Sequence, residues 1–253
     1  MGRGGPVETT RLELELPRLA PEFDGYRVVQ ISDLHARGRT VPERLAGLLR
    51  PVNEQRPDLI AITGDLADRH ANFDRVAPGL VRALRSLRAR DGVFAVLGNH
   101  DHRIGSHRVR RVLRASGIIE LPNTHHTLRR EGAALHLAGV DDHMEFYDRL
   151  DVVLERLPDS GSAILLAHEP DFADISAPAG RFDLQLSGHS HGGQIRLPTP
   201  LILPPYGEKY PAGLYQVKGM LLYTNRGLGA VRPRIRLNCP PEITALTLHS
   251  PAR

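Results

Sequence analysis

Five polar clusters, each placed just behind a short apolar run, are the residues of this chain best suited to chemistry. In order they are Asp33-Leu34-His35, Gly64-Asp65, Gly98-Asn99-His100-Asp101, His168 and Gly188-His189-Ser190-His191-Gly192-Gly193. Mixed Asp, His and Asn ligands suit divalent manganese and iron, and zinc also binds such a set. Gathering distant residues behind successive strands is how a chain surrounds two metal ions. Asp33 and His35 alternate, so the segment after their strand must bend for both to face one ion. Glycine precedes Asp65, Asn99 and His189, where tight turns and close backbone approach are needed. Singly, each cluster has an ordinary alternative. A lone histidine is often a hydrogen-bonded core residue, Gly-Asp is a common turn, and Asn-His-Asp can cap a helix.

The elements that must position these clusters alternate between strand and helix patterns. Leu12 to Leu16 alternates apolar and acidic residues, as a half-buried strand does. Val28-Ile31, Leu59-Ile62, Val93-Leu97, Leu135-Ala138, Ala163-Leu166 and Leu184-Leu186 read as further strands. A helical stretch follows from Val41, with Pro51 expected to break or kink it. A helix is expected over Val76–Arg90, with Leu80, Leu84 and Leu87 inward, and an arginine-rich one over His107–Ala115. From Gly213 onward the patterns turn to strand. Pro198–Pro211 is the longest irregular piece. The whole predicts an α/β layered domain with its sites on the loops after strands.

The 253 residues suffice for one large domain, 1–253, with short loose termini at about 1–8 and 250–253. Hydrophobic content is 41% and charged content 25%, which excludes a disordered chain. The net charge is +4, and 31 of the 33 basic residues are arginine. That bias fits either an arginine-favouring genome or an anion-binding surface, since arginine pairs bidentately with phosphate. The arginines are dispersed, which argues against a nucleic-acid footprint, and no stable nucleic-acid partner is expected. Cys239 is the only cysteine, so no intrachain disulfide can form. No run of 18 apolar residues and no apolar signal core is present. The expected location is cytoplasmic, with peripheral contact at a membrane surface as the variant.

The order D-x-H, G-D, G-N-H-D, H, G-H-x-H resembles the calcineurin-like metallophosphoesterase family, from about Tyr26 to Arg196. The phrases Gln30-Ile31-Ser32-Asp33-Leu34-His35, His189-Ser190-His191-Gly192-Gly193-Gln194 and Arg226-Gly227-Leu228-Gly229 resemble its bacterial branch of small, often membrane-associated phosphodiesterases. That branch usually carries an N-terminal anchor or export signal, which this sequence lacks. The resemblance implies a four-layer αββα sandwich of two mixed β-sheets flanked by helices. It implies two divalent ions, the first held by Asp33, His35 and His191 and the second by Asn99, His168 and His189, with Asp65 bridging. Such ions, about 3.5–4 Å apart, share a hydroxide that attacks phosphorus in line. His100 would protonate the leaving group or bind a phosphate oxygen. Asp65 to Arg69 also resembles the G-D-x-x-D-R of phosphoprotein phosphatases, where the second Asp, here Asp68, orients the histidine and the Arg, here Arg69, touches phosphate.

Three further groups are candidates for the substrate. His143 follows Asp141-Asp142 at a strand end, and an ordinary turn is its alternative. Arg226 is the branch residue of Asn225-Arg226-Gly227, with a structural salt bridge as its alternative. The Leu201–Tyr206 segment is an apolar lip that could admit a lipid tail or simply pack on its own domain. His102, Arg103 and His107 could line the entrance, while His125-His126 reads as a loop pair. The implied activity is hydrolysis of a phosphodiester or pyrophosphate in a phosphate-ester substrate, lipid-linked and nucleotide-linked esters included. Phosphomonoesterase and metal-dependent nuclease are the enzymatic alternatives. A non-catalytic scaffold on the same fold would have lost ligands, and none is lost here.

Overall fold

In the computed structural model, residues 5–38, 41–197 and 203–252 are described. Two six-stranded mixed sheets form the centre. The first runs in the order β1 (Glu8–Glu15), β12 (Glu242–His249), β2 (Tyr26–Ile31), β3 (Leu59–Thr63), β4 (Val93–Val96) and β5 (Ile119–Glu120). The second runs β10 (Gly213–Val217), β11 (Met220–Thr224), β9 (Leu184–Ser187), β8 (Ser162–Leu166), β7 (Ala133–Gly139) and β6 (Thr124–Arg130). β2 to β5 are parallel, as are β7, β8, β9 and β11.

The near-continuous apolar runs of the central strands have a physical cause. Each strand is covered on both faces, so successive residues enter different cores. In β2, Val28 faces the other sheet, whereas Val29 and Ile31 face helices. In β3, Leu59 and Ala61 go one way, Ile60 and Ile62 the other. Leu135, Leu137, Ile164, Leu166, Leu184 and Leu186 complete the core between the sheets. Helices α1 (Val41–Glu54), α2 (Phe73–Leu84) and α3 (Asn99–Ser116) cover the first sheet through Leu49, Leu80 and Leu113. α4 (Leu150–Arg156) and α5 (Ala173–Ser176) cover the second through Val153 and Ala173. Three cores separate four layers, the αββα sandwich expected.

Several boundaries differ from expectation. α1 runs through Pro51 to Glu54. α2 starts at Phe73, because the Asn72 side chain accepts the Arg75 N–H, and it stops at Leu84 rather than Arg90. α3 begins eight residues earlier than expected, at Asn99, and is interrupted at Gly105 (φ 107°). Its polar first turn hid it from the apolar period. His125 and His126 lie in β6, not in a loop. Glu8, expected to be loose, opens β1 opposite Glu242, and the Ser250 N–H donates to Asp24. Of the apolar lip, Leu201 and Ile202 lie outside the described residues. Among those described, no helix is long and apolar enough to cross a membrane.

Candidate metal centre

Parallel strands deliver the five clusters to one edge of the sandwich. Asp33 and His35 follow β2, Asp65 follows β3, Asn99 opens α3 behind β4, His168 follows β8, and His189 and His191 follow β9. All seven side chains are at most 5% exposed. Five of them, Asp33, His35, Asp65, His189 and His191, hold left-handed backbone with φ between 42° and 67°. Such conformations are costly for residues with a Cβ and persist where surrounding structure enforces them, as at ligand-holding turns. The glycines act mainly through space. A Cβ on Gly188 would collide with Ser32 Oγ and Asp33, and one on Gly98 with Asp65 and His168.

The donor atoms converge. His35 Nε2 and His191 Nε2 lie 3.0 Å apart. Asp33 Oδ1 stands 3.6 Å from the first and 3.4 Å from the second. Asp65 Oδ2 is 3.5 Å from both His35 Nε2 and His168 Nε2. His168 Nε2 and His189 Nδ1 are 3.2 Å apart. Ligand atoms about 2.1 Å from one cation stand about 3.0–3.4 Å from each other, so these separations fit metal coordination. Asp33 Oδ1 and Asn99 Oδ1 are buried with no hydrogen-bond partner among the described residues, as atoms reserved for a cation would be. Three overlapping ligand groups result: Asp33, His35 and His191; Asp33, Asp65 and His168; and His35, Asp65 and His100.

Outer contacts fix which ring nitrogen is free. His168 Nδ1–H donates to the Thr63 carbonyl at 2.7 Å, and His189 Nε2–H donates to that of Pro205 at 2.9 Å. The opposite nitrogens are thereby left as lone pairs facing the cluster. Burial, reinforced by neighbouring cations, pushes the His189 and His191 rings down and keeps them neutral, the form that binds a metal. Burial works against the Asp65 charge, yet the His168 and His100 rings hold its carboxyl well below the ordinary range.

His100 lies in the first turn of α3, with its ring 4.6 Å from that of His35. Its backbone N–H donates to Asp65 Oδ1 at 2.9 Å. Its Nδ1 accepts the Arg69 N–H at 3.3 Å, so Nε2 carries the proton. Burial pushes its pKa down to about 4. Asp68 has other partners: it accepts the His70 N–H, and its Oδ2 faces Arg234 at 3.5 Å and Arg37 at 4.0 Å. Among the described residues no hydrogen bond joins Asp68 to His100. A cavity of about 470 Å³ opens over the cluster; Asp65, Asp68, Arg69, Asn99, His100, Arg103, His189 and His191 are among its lining residues, as are Met144, Pro204, Val231 and Arg232.

Two sequence candidates stand elsewhere. Arg226 is a structural ion pair: its Nε meets Glu242 and its Nη2 meets Glu8, each at 3.0 Å, because β1 and β12 bring both acids to it. His143 is absent from the cavity lining. Its Nδ1 bonds Asp148 at 3.0 Å, and its ring packs on Phe172 and Tyr206.

Other residues have no role at the site assigned by sequence reasoning, which takes Asp101 only as the end of its cluster or as part of a helix cap. Asp101, buried, accepts N–H groups from Leu66, Ala67 and Gly98, tying two ligand loops together. Its place at the third residue of a helix was the available signal. Burial and the Asp65 charge push its carboxyl up to about 7. Glu169, beside His168, accepts N–H groups from His143 and Met144. Burial and the Glu169 charge push the Asp142 carboxyl up to about 10. Arg236 donates to the Gly229 carbonyl and reaches His191 Nδ1 at 3.3 Å.

Residues 26–193 match the family described as calcineurin-like phosphoesterase. The chain is 38% identical over 248 residues to the uncharacterized metallophosphoesterase YkuE of Bacillus subtilis, covering 96% of this chain and 86% of that protein. It is 32% identical over 234 residues to the phosphodiesterase YaeI of Escherichia coli, covering 88% and 82%. Among solved structures, TT1561 of Thermus thermophilus matches with a TM-score of 0.52 at 13% identity, covering 80% of this chain and 89% of its own. At that identity the likeness speaks for the fold alone.

Proposed function

The chain belongs to the calcineurin-like phosphoesterase family, and from that premise we propose that it hydrolyses a phosphodiester or pyrophosphate with two divalent cations, manganese, iron or zinc. The observation that carries the reading is Asp65 Oδ2, 3.5 Å from both His35 Nε2 and His168 Nε2. One carboxylate oxygen held between two sets of imidazole lone pairs is what a bridging ligand requires. Asp33, His35 and His191 would complete one site; Asn99, His168 and His189 the other. Bound there, divalent cations would supply Lewis acidity toward a phosphoryl oxygen and a water made acidic enough to react near neutral pH.

The protein's own groups do the rest. A His100 ring with a pKa near 4 is neutral at pH 7, and nearby cations would lower it further. Such a ring serves as an Nε2–H donor to a phosphate oxygen more than as a strong acid. Arg69 fixes that tautomer through its backbone and lends its guanidinium to the same wall. The relative named a phosphodiesterase supports diesters over monoesters.

The test is hydrolysis of bis-p-nitrophenyl phosphate beside p-nitrophenyl phosphate, after metal removal and resupply of Mn, Fe, Zn, Ni or Mg singly. Metal-dependent cleavage favouring the diester is expected. Preference for the monoester would make the protein a phosphatase, and cleavage of neither with metal bound would sink the reading.

A further inference from the structure

One wall of the cavity carries far more positive charge than the metal site alone explains. Asp68, buried, has Arg234 Nη2 at 3.5 Å and Arg37 Nη1 at 4.0 Å, both on Oδ2. Arg69 and Arg232 line the same cavity as Asp68, and among the described residues neither has a carboxylate within 4 Å. Two guanidinium groups therefore face the Asp68 carboxylate and two more line the cavity that Asp68 borders, four formal positive charges beside one negative. Arg103, also on the lining, differs: Glu145 meets its Nε at 2.7 Å. Arg234 Nε is buried and has no hydrogen-bond partner among the described residues. The carboxylates on the lining are Asp65, committed to the metal cluster, and Asp68, already shared by two arginines.

Unneutralised guanidinium groups converging beside a metal cluster call for an anion other than the one the cations would take. We propose that Arg69 and Arg232 on the cavity lining, together with Arg37 and Arg234 on Asp68, form a second phosphoryl subsite. The substrate class it selects is a small molecule with two neighbouring phosphates, one at the metal cluster and one on this wall. Asp68 acts here as a positioning residue: it holds Arg37 and Arg234 side by side and does not orient His100. Arg37 and Arg234, far apart in sequence, meet on Asp68, and Arg69 and Arg232, likewise far apart in sequence, line the cavity it borders. This inference rests on the phosphoesterase reading for its first phosphate site, but its own residues are separate from the metal ligands.

The experiment is calorimetric binding of thymidine 5′-monophosphate and thymidine 5′-diphosphate to the metal-loaded protein, with bis-p-nitrophenyl phosphate hydrolysis run on the same preparation. The diphosphate is expected to bind at least about tenfold more tightly, as one added charge-assisted contact provides. That preference should collapse in Arg232→Met, diminish in Arg37→Met, and partly return in Arg232→Lys. Arg232 is exposed, so its replacement does not threaten folding. An undiminished preference in both methionine variants would mean that the metals alone hold the second phosphate, and would overturn the subsite. Tighter binding of an unphosphorylated thymidine oligonucleotide would overturn it in favour of a nucleic-acid backbone. Loss of diester hydrolysis with the binding pattern intact would instead sink the phosphoesterase reading and leave the subsite standing.

Discussion

At the scale of single residues, the site is built from strained backbone and reserved lone pairs. Among the described residues Asp33 Oδ1 and Asn99 Oδ1 have no hydrogen-bond partner, and His168 and His189 each spend one ring nitrogen on a carbonyl so that the other stays free. Removing a ligand should therefore cost function more than fold. Asn99→Ala and His191→Ala are expected to lose at least about 100-fold in kcat/KM and bound metal, with far-ultraviolet circular dichroism unchanged. Wild-type turnover in both metal-loaded variants would refute the ligand assignment. The residue scale also separates Arg226 from Arg69: both are arginines behind strands, but only Arg69 reaches the cavity, because Glu8 and Glu242 hold Arg226.

At the scale of elements, the start of α3 carries the most. It presents Asn99 and His100, and its Asp101 accepts N–H groups from the loop after β3. Asp101→Ala leaves those donors buried and unpaired, and should destabilise the protein by about 2–3 kcal/mol in urea unfolding. It should also weaken metal binding, since Asp65 and Asn99 would lose their shared anchor. The Asp101 shift has a sign that can be checked. Its folded pKa is raised to about 7, so the stability it contributes is full below the unfolded value near 4 and is lost as pH rises through 7. In the metal-free protein, Asp101→Asn should flatten that loss between pH 4 and 7. A pH–stability curve identical to wild type would refute the shift.

At the scale of the whole molecule, the two sheets are joined by an apolar core and, at one edge, by the ligand cluster. β2, β3 and α3 belong to the first layer pair, while β8 and β9 belong to the second. Cations that bind residues from both halves would bind the folded chain and not the unfolded one, and so stabilise it by mass action. They would also relieve the repulsion of Asp33 and Asp65, which are buried together. Chelation should lower the melting temperature by several degrees, and Mn or Zn should restore it. A melting temperature indifferent to chelation, with metal shown to leave, would argue against a centre spanning the two sheets.

The amino-acid sequence determined most of the strands and the placement of polar clusters behind them, because these rest on local periodicity and on residue chemistry, while the division of those residues into two ligand sets came from the resemblance to the family's motifs. A strand buried on both faces is mostly apolar, and a ligand must carry a donor atom, as Asp, Asn and His do, whatever surrounds it. Tertiary structure alone decided pairing between distant side chains. Nothing local to Arg226 announces that Glu8 and Glu242 occupy it, and nothing in Gly-Asp-Leu-Ala-Asp-Arg announces that Asp68 faces Arg37 and Arg234 in place of His100. Charges as far apart in sequence as Glu8 and Arg226 or Asp68 and Arg234 meet only when the sheets close, so their neutralisation, and the excess left on the cavity wall, are properties of the folded molecule.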